Sequence, residues 1–240
     1  MTVHYLAADI SPGEHVTGTL WGMTFNLDTI WSTAIAGAIV IGLGLFVRWK
    51  VTSGKPTRTQ LFFETVTSQV EGQVETTLGI KTAPWLVPFA MTLFLLIFIA
   101  NTLAVFPSGH PERLPPPAAD VNFTFALALI VIITMHIVGV RKKGFRGYYG
   151  HLTKPLALTP INIVEELTKP ITLALRLFGN IFSGTIMVSV ISLFPAYILW
   201  FPNAAWKLFD LGIGLIQAFI FALLTVLYFG SVAPDEQGAH

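Results

Sequence analysis

The stretch ITLALRLFGNIFSGTIMV, residues 171–188, places one permanent positive charge inside a long apolar segment. Arg176 is followed by several turns of mostly hydrophobic residues, so its side chain would have to pass at least two apolar turns to reach water. An arginine at membrane depth costs roughly 2.5–3.5 kcal/mol on insertion scales. A charge held at that cost indicates a functional site and predicts a specific partner for the guanidinium group.

The composition around this segment is that of an integral membrane protein. Apolar residues make up 53% of the 240 residues, and charged residues make up 11%. Several windows exceed the roughly 18 apolar residues that indicate a transmembrane helix. Backbone groups inside lipid must find their hydrogen bonds within the helix. We therefore predict an all-α polytopic membrane protein with about five membrane-embedded helices and one amphipathic surface helix.

The hydrophobic pattern divides the chain into segments. Residues 60–78 combine an apolar i, i+4 stripe with a polar one, which is typical of a helix on the membrane surface. The predicted order is an outer N-terminal tail at 1–26, a transmembrane helix at 27–49, the surface helix at 60–78, a transmembrane helix at 84–106, a Pro-rich outer loop at 107–120, a transmembrane helix at 121–140, a basic inner loop at 141–159, a long helix at 160–199, the last helix at 204–232 and an inner tail at 233–240.

The segment 160–199 is much longer than the ~20 residues that cross a membrane. If about 35 of its residues are helical, it is about 52 Å long. A hydrocarbon layer of about 30 Å then requires a tilt of roughly 55° or a kink. We predict that this helix and the next are both long and steeply tilted. A short re-entrant piece followed by an ordinary span is the alternative.

The placement of lysine and arginine predicts the orientation, because these residues concentrate on the inner side of a membrane. An outer N-terminus and a cytoplasmic C-terminus in the plasma (inner) membrane leave only Arg113 and Lys207 outside. The inner side then receives Arg48, Lys50, Lys55, Arg58, Lys81, Arg141, Lys142, Lys143, Arg146, Lys154 and Lys169.

Polar residues share one face on each of the last two helices. On the long helix at 160–199, helical spacing places five polar residues on the same face as Arg176: Glu165, Lys169, Thr172, Asn180 and Ser183. On the last helix the same spacing aligns Asp210, Gly214, Gln217, Thr225 and Tyr228. In lipid, such polar seams face a cavity, a partner or each other.

Most of these residues also have a structural interpretation. Gln217 could hydrogen-bond across a helix pair, and Asn180 with Ser183 could belong to a small-residue packing surface. Glu165 and Glu166 could be solvated near the inner end, and Asp210 could be a first-turn charge at the outer interface. His136, near the end of the third span, is more often structural than a proton relay.

Arg176 differs because the chain offers no acidic residue at its depth, so we expect another chain to supply the carboxylate. Arginine cannot be deprotonated in proteins, whereas a buried lysine can lose its proton. A cation within about 4–6 Å of a carboxylate favours the ionised acid. An arginine in this place can therefore discharge a proton carrier and block direct leakage.

Three motifs resemble the a subunit of F-type ATP synthases of the bacterial type. They are LALRLFGN at 173–180, QAFIFALLTVLY at 217–228, and PAADVNFT at 117–124 with the later RKKG at 141–144. The resemblance covers roughly residues 84–232.

The resemblance implies a non-catalytic, proton-translocating stator subunit beside a ring of c subunits that carry carboxylates. Arg176 would match the essential arginine of the family, with Asn180 and Gln217 near two half-channels that it separates. Peripheral-stalk subunits of the b type, the remaining synthase subunits and membrane lipid are the other implied partners. ATP chemistry would occur on other subunits, and no cofactor, metal or nucleic acid is expected.

One pair of positions departs from the family pattern. Many members place a Glu or His nine residues after the arginine and a partner seven residues before the glutamine, but Thr185 and Asp210 occupy these positions. Asp210 is therefore the candidate for the outer half-channel, and Glu165 or Glu166 for the inner one. Tyr228, Ser183 and Thr185 complete the predicted proton-translocation set.

Two other function classes remain open. A secondary transporter could bind an anionic substrate through Arg176, but such folds usually contain internal repeats, and none is found between the halves of the chain. A membrane scaffold without conduction is disfavoured by the arginine and its polar seam.

Overall fold

The computed structural model describes residues 17–20, 23–50, 58–79, 83–105, 116–152 and 159–232. Within these ranges the elements are β1 (Thr17–Leu20), β2 (Met23–Asn26), α1 (Leu27–Lys50), α2 (Arg58–Leu78), α3 (Leu86–Leu103), α4 (Val121–Leu152), α5 (Thr159–Ile191) and α6 (Ala196–Val232), with a 3₁₀ turn at Pro117–Ala119. Every helix except α2 is long and apolar enough to cross a membrane. This confirms the predicted all-α polytopic class with one additional, more polar helix.

The tail predicted at 1–26 contains a short antiparallel hairpin, in which β1 pairs with β2 from Thr17 opposite Asn26 to Leu20 opposite Met23. The Pro-rich loop predicted at 107–120 ends in the 3₁₀ turn. Its residues 107–115 lie outside the described ranges, as do the inner tail 233–240 and residues 1–16 of the N-terminal tail.

The helices α3 and α6 form the centre of the fold and run antiparallel. The ring pairs Phe89–Phe229 and Phe94–Phe219 have centroids 6.1 Å and 6.5 Å apart, so positions rise along α3 as they fall along α6. Packing of this kind, rather than a hydrophobic effect, holds helices together in lipid. The packing of α3 on α6 holds in place the polar residues that α6 carries.

The helix α4 extends beyond the boundary predicted at residue 140 and takes up much of the predicted inner loop. Gly144 interrupts it with φ 70° and ψ 159°, a backbone conformation that glycine adopts without strain. The chain turns back there, and Tyr148 meets His136 of the same element. We call residues 145–152 the fold-back segment. Glycine at 139 is also needed, because a Cβ atom there would overlap the Tyr148 ring.

The boundary between the last two helices also differs from the predicted one. The helix α5 ends at Ile191, and α6 begins at Ala196 and continues through Pro202. Pro195 starts α6, since its carbonyl accepts the amides of Ile198 and Leu199. Proline suits this place because its missing N–H would have no partner there. At 1.5 Å per residue the two helices are about 50 and 56 Å long.

Candidate functional site

The side chain of Arg176 lies on the outward face of α5. Leu173, Ala174 and Leu177 turn to the opposite side and are buried in the core, whereas Arg176 is exposed. Among the residues that the structure describes, none forms an ion pair or a hydrogen bond with its guanidinium group. The helix therefore presents an arginine at the middle of a membrane span to whatever lies outside this chain.

The other polar side chains on this face of α5 mostly bond within their own helix. Ser183 is exposed and donates to the Asn180 carbonyl at 2.9 Å. Thr185 is half-buried and lies nine residues after Arg176, on the opposite side of α5, and it donates to the Phe182 carbonyl at 2.9 Å. The half-buried amide of Asn180 differs, because its Nδ2 atom is buried and has no partner among the described residues. Arg176 and Asn180 are thus the groups on this face whose N–H donors have no hydrogen-bond partner among the described residues.

The carboxyl group of Asp210 lies between α5 and α6. A Cβ atom built on Gly184 would lie 3.0 Å from Asp210 Oδ1, so the glycine lets the carboxyl group approach the α5 backbone. Asp210 stands about four turns inside α6, which begins at Ala196. It is therefore not a first-turn charge, and that interpretation of the sequence was wrong. Thr185, which occupies the position that pairs with residue 210 in the family pattern, is the neighbour of Gly184.

A buried amide that the sequence analysis missed lies between α3 and α6. Asn101 is 4% exposed, and its Nδ2 donates to the Gly214 carbonyl at 3.2 Å. Its Oδ1 atom has no partner among the described residues. The signal in the sequence was a single amide inside the apolar helix predicted at 84–106. Gly214 makes the contact possible, because a Cβ atom there would lie 3.1 Å from Asn101 Cβ.

The seam predicted on α6 faces inward. Gln217 is 8% exposed, and its Nε2 atom is buried without a partner in the described part of the chain. Nearer the start of α6, Asn203 Oδ1 and Trp206 Nε1 are in the same condition. Buried polar atoms are nearly always hydrogen-bonded to protein or ordered water. This series of unsatisfied atoms therefore indicates places where water or another chain must complete the bonding.

Lys207 and Thr225 bond inside the protein. Lys207 Nζ donates to the Val105 carbonyl at 2.9 Å, just past the end of α3. Thr225 is fully buried and donates to the Phe221 carbonyl at 2.9 Å. The single O–H donor of Thr225 is therefore used within α6.

A second group of polar residues, here called the charged cluster, joins α4 and α5. It consists of His136, Tyr148, Glu166 and Lys169. Lys169 Nζ lies 2.7 Å from Glu166 Oε2, and His136 Nε2 lies 3.5 Å from Glu166 Oε1. His136 Nδ1 shares a hydrogen bond of 2.6 Å with the Tyr148 hydroxyl. Lys169 Nζ also lies 5.8 Å from the centroid of the Tyr228 ring on α6.

The two carboxylates predicted for the inner side differ in their partners, because the charged cluster includes Glu166 but not Glu165. Glu165 lies four residues before Lys169, a spacing that allows an ion pair on a helix, but Lys169 bonds to Glu166 instead. Glu166 lies three residues before Lys169 on α5, and the packing of α5 on α4 also brings it to His136. Glu165 is exposed and pairs with no described residue.

Comparison with known proteins places this arrangement in context. The sequence model of a family described as "ATP synthase A chain" matches residues 30–230. The chain is 54% identical to "ATP synthase subunit a" of Acidothermus cellulolyticus over 238 residues, covering 98% of this chain and 88% of the relative. It is 51% identical to the protein of that name from Mycobacterium bovis over 253 residues, covering 100% of both. A protein of that name from Desulforamulus reducens is 34% identical, covering 87% of this chain and 81% of the relative.

Proposed function

We propose a function from one premise: the chain belongs to the ATP synthase A chain family. This confirms the resemblance found in three sequence motifs. The chain is accordingly a proton-translocating subunit of the membrane sector of an ATP synthase, a multi-pass membrane protein that works with the other subunits of that enzyme. How its residues move protons is the part that we infer.

The observation that carries the mechanism is the exposure of Arg176. A mid-span arginine without an acidic partner in the described part of the chain needs a counter-charge from elsewhere. We place that charge on the carboxylates of a ring of c subunits, which pass the outward face of α5 one after another. The exposed hydroxyl of Ser183 lies two turns along the same face and so belongs to the same contact surface.

The chemistry at this contact is electrostatic. A ring carboxylate that takes a proton on one side of Arg176 becomes neutral and can turn away through lipid. When it returns on the other side, the nearby guanidinium group favours the ionised form, and the proton leaves into water. Arg176 stays charged throughout because a guanidinium group does not lose its proton in proteins. Protons therefore cross only by riding on the ring, which couples their flow to rotation.

Two aqueous half-channels would bring protons to and from the ring. We assign Asp210, Asn101 and Gln217 to the outer one, because they place a carboxyl group and unsatisfied amide atoms along α6. We assign Glu165 to the inner one, because its carboxylate is exposed and without a described partner. Asn180 lies next to Arg176 and would complete the passage between channel and ring, with Thr185 and Tyr228 as lesser contributors.

The remaining assignments follow from the same proposal. We place the N-terminus outside and the C-terminus in the cytoplasm from the lysine and arginine distribution. The long helices α5 and α6 would lie steeply tilted against the ring, since each exceeds the roughly 30 Å hydrocarbon thickness. A peripheral stalk of b-type subunits would hold this chain still, and ATP would be made on other subunits.

The contact with the ring is testable by disulfide cross-linking, because the chain contains no cysteine of its own. We expect Ser183→Cys to cross-link to a cysteine placed beside the ring carboxylate in the assembled synthase. Thr92→Cys is the matched control, since Thr92 is also an exposed hydroxyl but lies on α3. Equal cross-linking of both variants, or of neither, would contradict the assigned contact face.

The second candidate, a secondary transporter that binds an anionic substrate, predicts a different result. Arg176 would then face a substrate cavity, and the chain would function without a ring. Copurification of the chain with a c-ring, at a fixed ratio after detergent extraction, separates the two functions.

A further inference from the structure

The turn at Gly144 creates a groove that plays no part in the proposed proton path. The fold-back segment returns alongside the end of α4 and leaves a groove of about 360 Å³ between the two. Residues from both walls line it: His136, Ile137, Val140, Arg141, Phe145 and Tyr149. The hydrogen bond between Tyr148 and His136 holds the walls together at 2.6 Å.

One wall of the groove is apolar and open. Ile137 is 48% exposed and Phe145 is 69% exposed. The Phe145 and Tyr149 rings pack together with centroids 4.8 Å apart. Tyrosine is enriched where a membrane meets water, because its amphipathic ring suits the headgroup level. The groove therefore offers an apolar surface beside the lipid headgroups.

The other feature of the groove is uncompensated positive charge. Arg141 lines it, and Lys142, Lys143 and Arg146 lie within five residues along the chain. No Asp or Glu occurs between Val121 and Leu152. Within the described residues, none of these four cations forms an ion pair. Arg141 is the one of these four cations that lines the groove, and the other three add positive charge to the same stretch of chain. An unpaired cation beside an apolar wall makes a surface that is complementary to a molecule with an anionic head and a hydrocarbon tail.

We propose that this groove binds an anionic phospholipid. The headgroup phosphate would lie against Arg141, and one acyl chain would cover Ile137 and the Phe145 ring. Basic pockets at the ends of membrane helices recognise such headgroups, and each Lys or Arg near the surface contributes about 1 kcal/mol. The site is separate from Arg176 and does not depend on how the protein conducts protons.

The test is native mass spectrometry of the full chain, released from micelles with equal amounts of phosphatidylglycerol and phosphatidylcholine of identical acyl chains. We expect the wild type to retain phosphatidylglycerol preferentially. Arg141→Gln should reduce that preference about fivefold, the factor that corresponds to about 1 kcal/mol. Arg141→Lys should keep most of it because the charge remains.

The control is Arg48→Gln, which removes an exposed cation from α1 and does not line the groove. It should leave the lipid preference unchanged. Equal effects of Arg48→Gln and Arg141→Gln would show general charge attraction and would overturn the site, as would equal retention of both lipids by the wild type.

Two further arms separate the lipid from other anions and from other occupants. Inorganic phosphate in excess should not abolish the preference, since it has no acyl chain; complete displacement would reduce the site to a bare anion site and overturn the proposal. In the assembled synthase, Arg141→Gln should again lower the amount of copurifying phosphatidylglycerol. If it does not, another subunit covers the groove and the lipid proposal fails.

Discussion

The charged cluster and the polar face around Arg176 both include residues of α5, but they differ in whether their charges find partners inside the chain. In the charged cluster, Glu166 is paired with Lys169 at 2.7 Å and with His136 at 3.5 Å. About two turns further along α5, Arg176 is exposed and has no described partner. The charged cluster pairs its acid with a cation inside the chain, although Glu166 Oε1 is buried without a hydrogen-bond partner among the described residues. The face around Arg176 leaves its cation without an acidic partner in the described part of the chain.

This difference separates what holds the fold from what works on something outside it. A pair satisfied within the protein contributes to stability and needs nothing else. An open charge or an unsatisfied buried amide in a membrane span is stable only when water or another chain completes it. Substitutions in the charged cluster should therefore change stability, whereas substitutions along the open region should change proton transport.

The largest effect is expected at Arg176. Arg176→Lys should lower ATP-driven proton pumping in membrane vesicles by about 100-fold or more, the scale seen when a group that stabilises a developing charge is removed. Lysine keeps the charge at rest but can lose its proton in a dry site. Immunoblotting must show normal levels of the subunit. Near-normal pumping would contradict the claim that the unpaired charge of Arg176 is required for proton transport.

A smaller effect is expected at Asp210. Asp210→Asn should slow ATP-driven pumping by about tenfold, below the usual range for a lost acid–base group because water can partly replace it. Thr185→Ala is the matched control on the facing helix, and it should do less because the Thr185 hydroxyl bonds within its own helix. If Thr185→Ala proves the more severe change, the outer path follows α5 instead of α6.

The adjacent glutamates give the sharpest internal comparison, because they differ by one position and by their partners. Glu165→Gln should lower passive proton conductance by about threefold, through loss of a negative charge that concentrates protons at a channel mouth. Glu166→Gln should leave conductance nearly unchanged and instead destabilise the subunit, since Lys169 loses its ion-pair partner. The reverse pattern would indicate that the inner proton path runs through the charged cluster.

The smallest effect is expected at Tyr148. Tyr148→Phe removes the hydroxyl that bonds to His136 and should lower the free energy of unfolding by about 1 kcal/mol. Proton conductance should stay at the wild-type level. Thermal unfolding in detergent measures the first quantity and vesicle assays measure the second. A clear loss of conductance without a loss of stability would place His136 in the proton path.

Hydrophobic periodicity and one costly charge were enough to predict the fold class and to single out Arg176. Helix length, apolar windows and the family motifs are local properties, so a single sequence carries them. The fold-back at Gly144 was missed because a basic stretch with glycines and tyrosines is typical of a loop. The contact of Tyr148 with His136, which accompanies the fold-back, joins residues that no local pattern pairs. The contacts of Asn101 with Gly214 and of Glu166 with His136 depend on which helices pack together, which no local pattern reveals.

The close approach of Asp210 to Gly184 has a consequence for how this protein can evolve. Any side chain at position 184 would compete for the space of the Asp210 carboxyl group, since even a Cβ atom would lie 3.0 Å from Oδ1. Substitutions at the two positions should therefore depend on each other. Descendants that acquire a larger residue at 184 should have already lost or relocated the acid at 210, and the opposite order of changes should be rare.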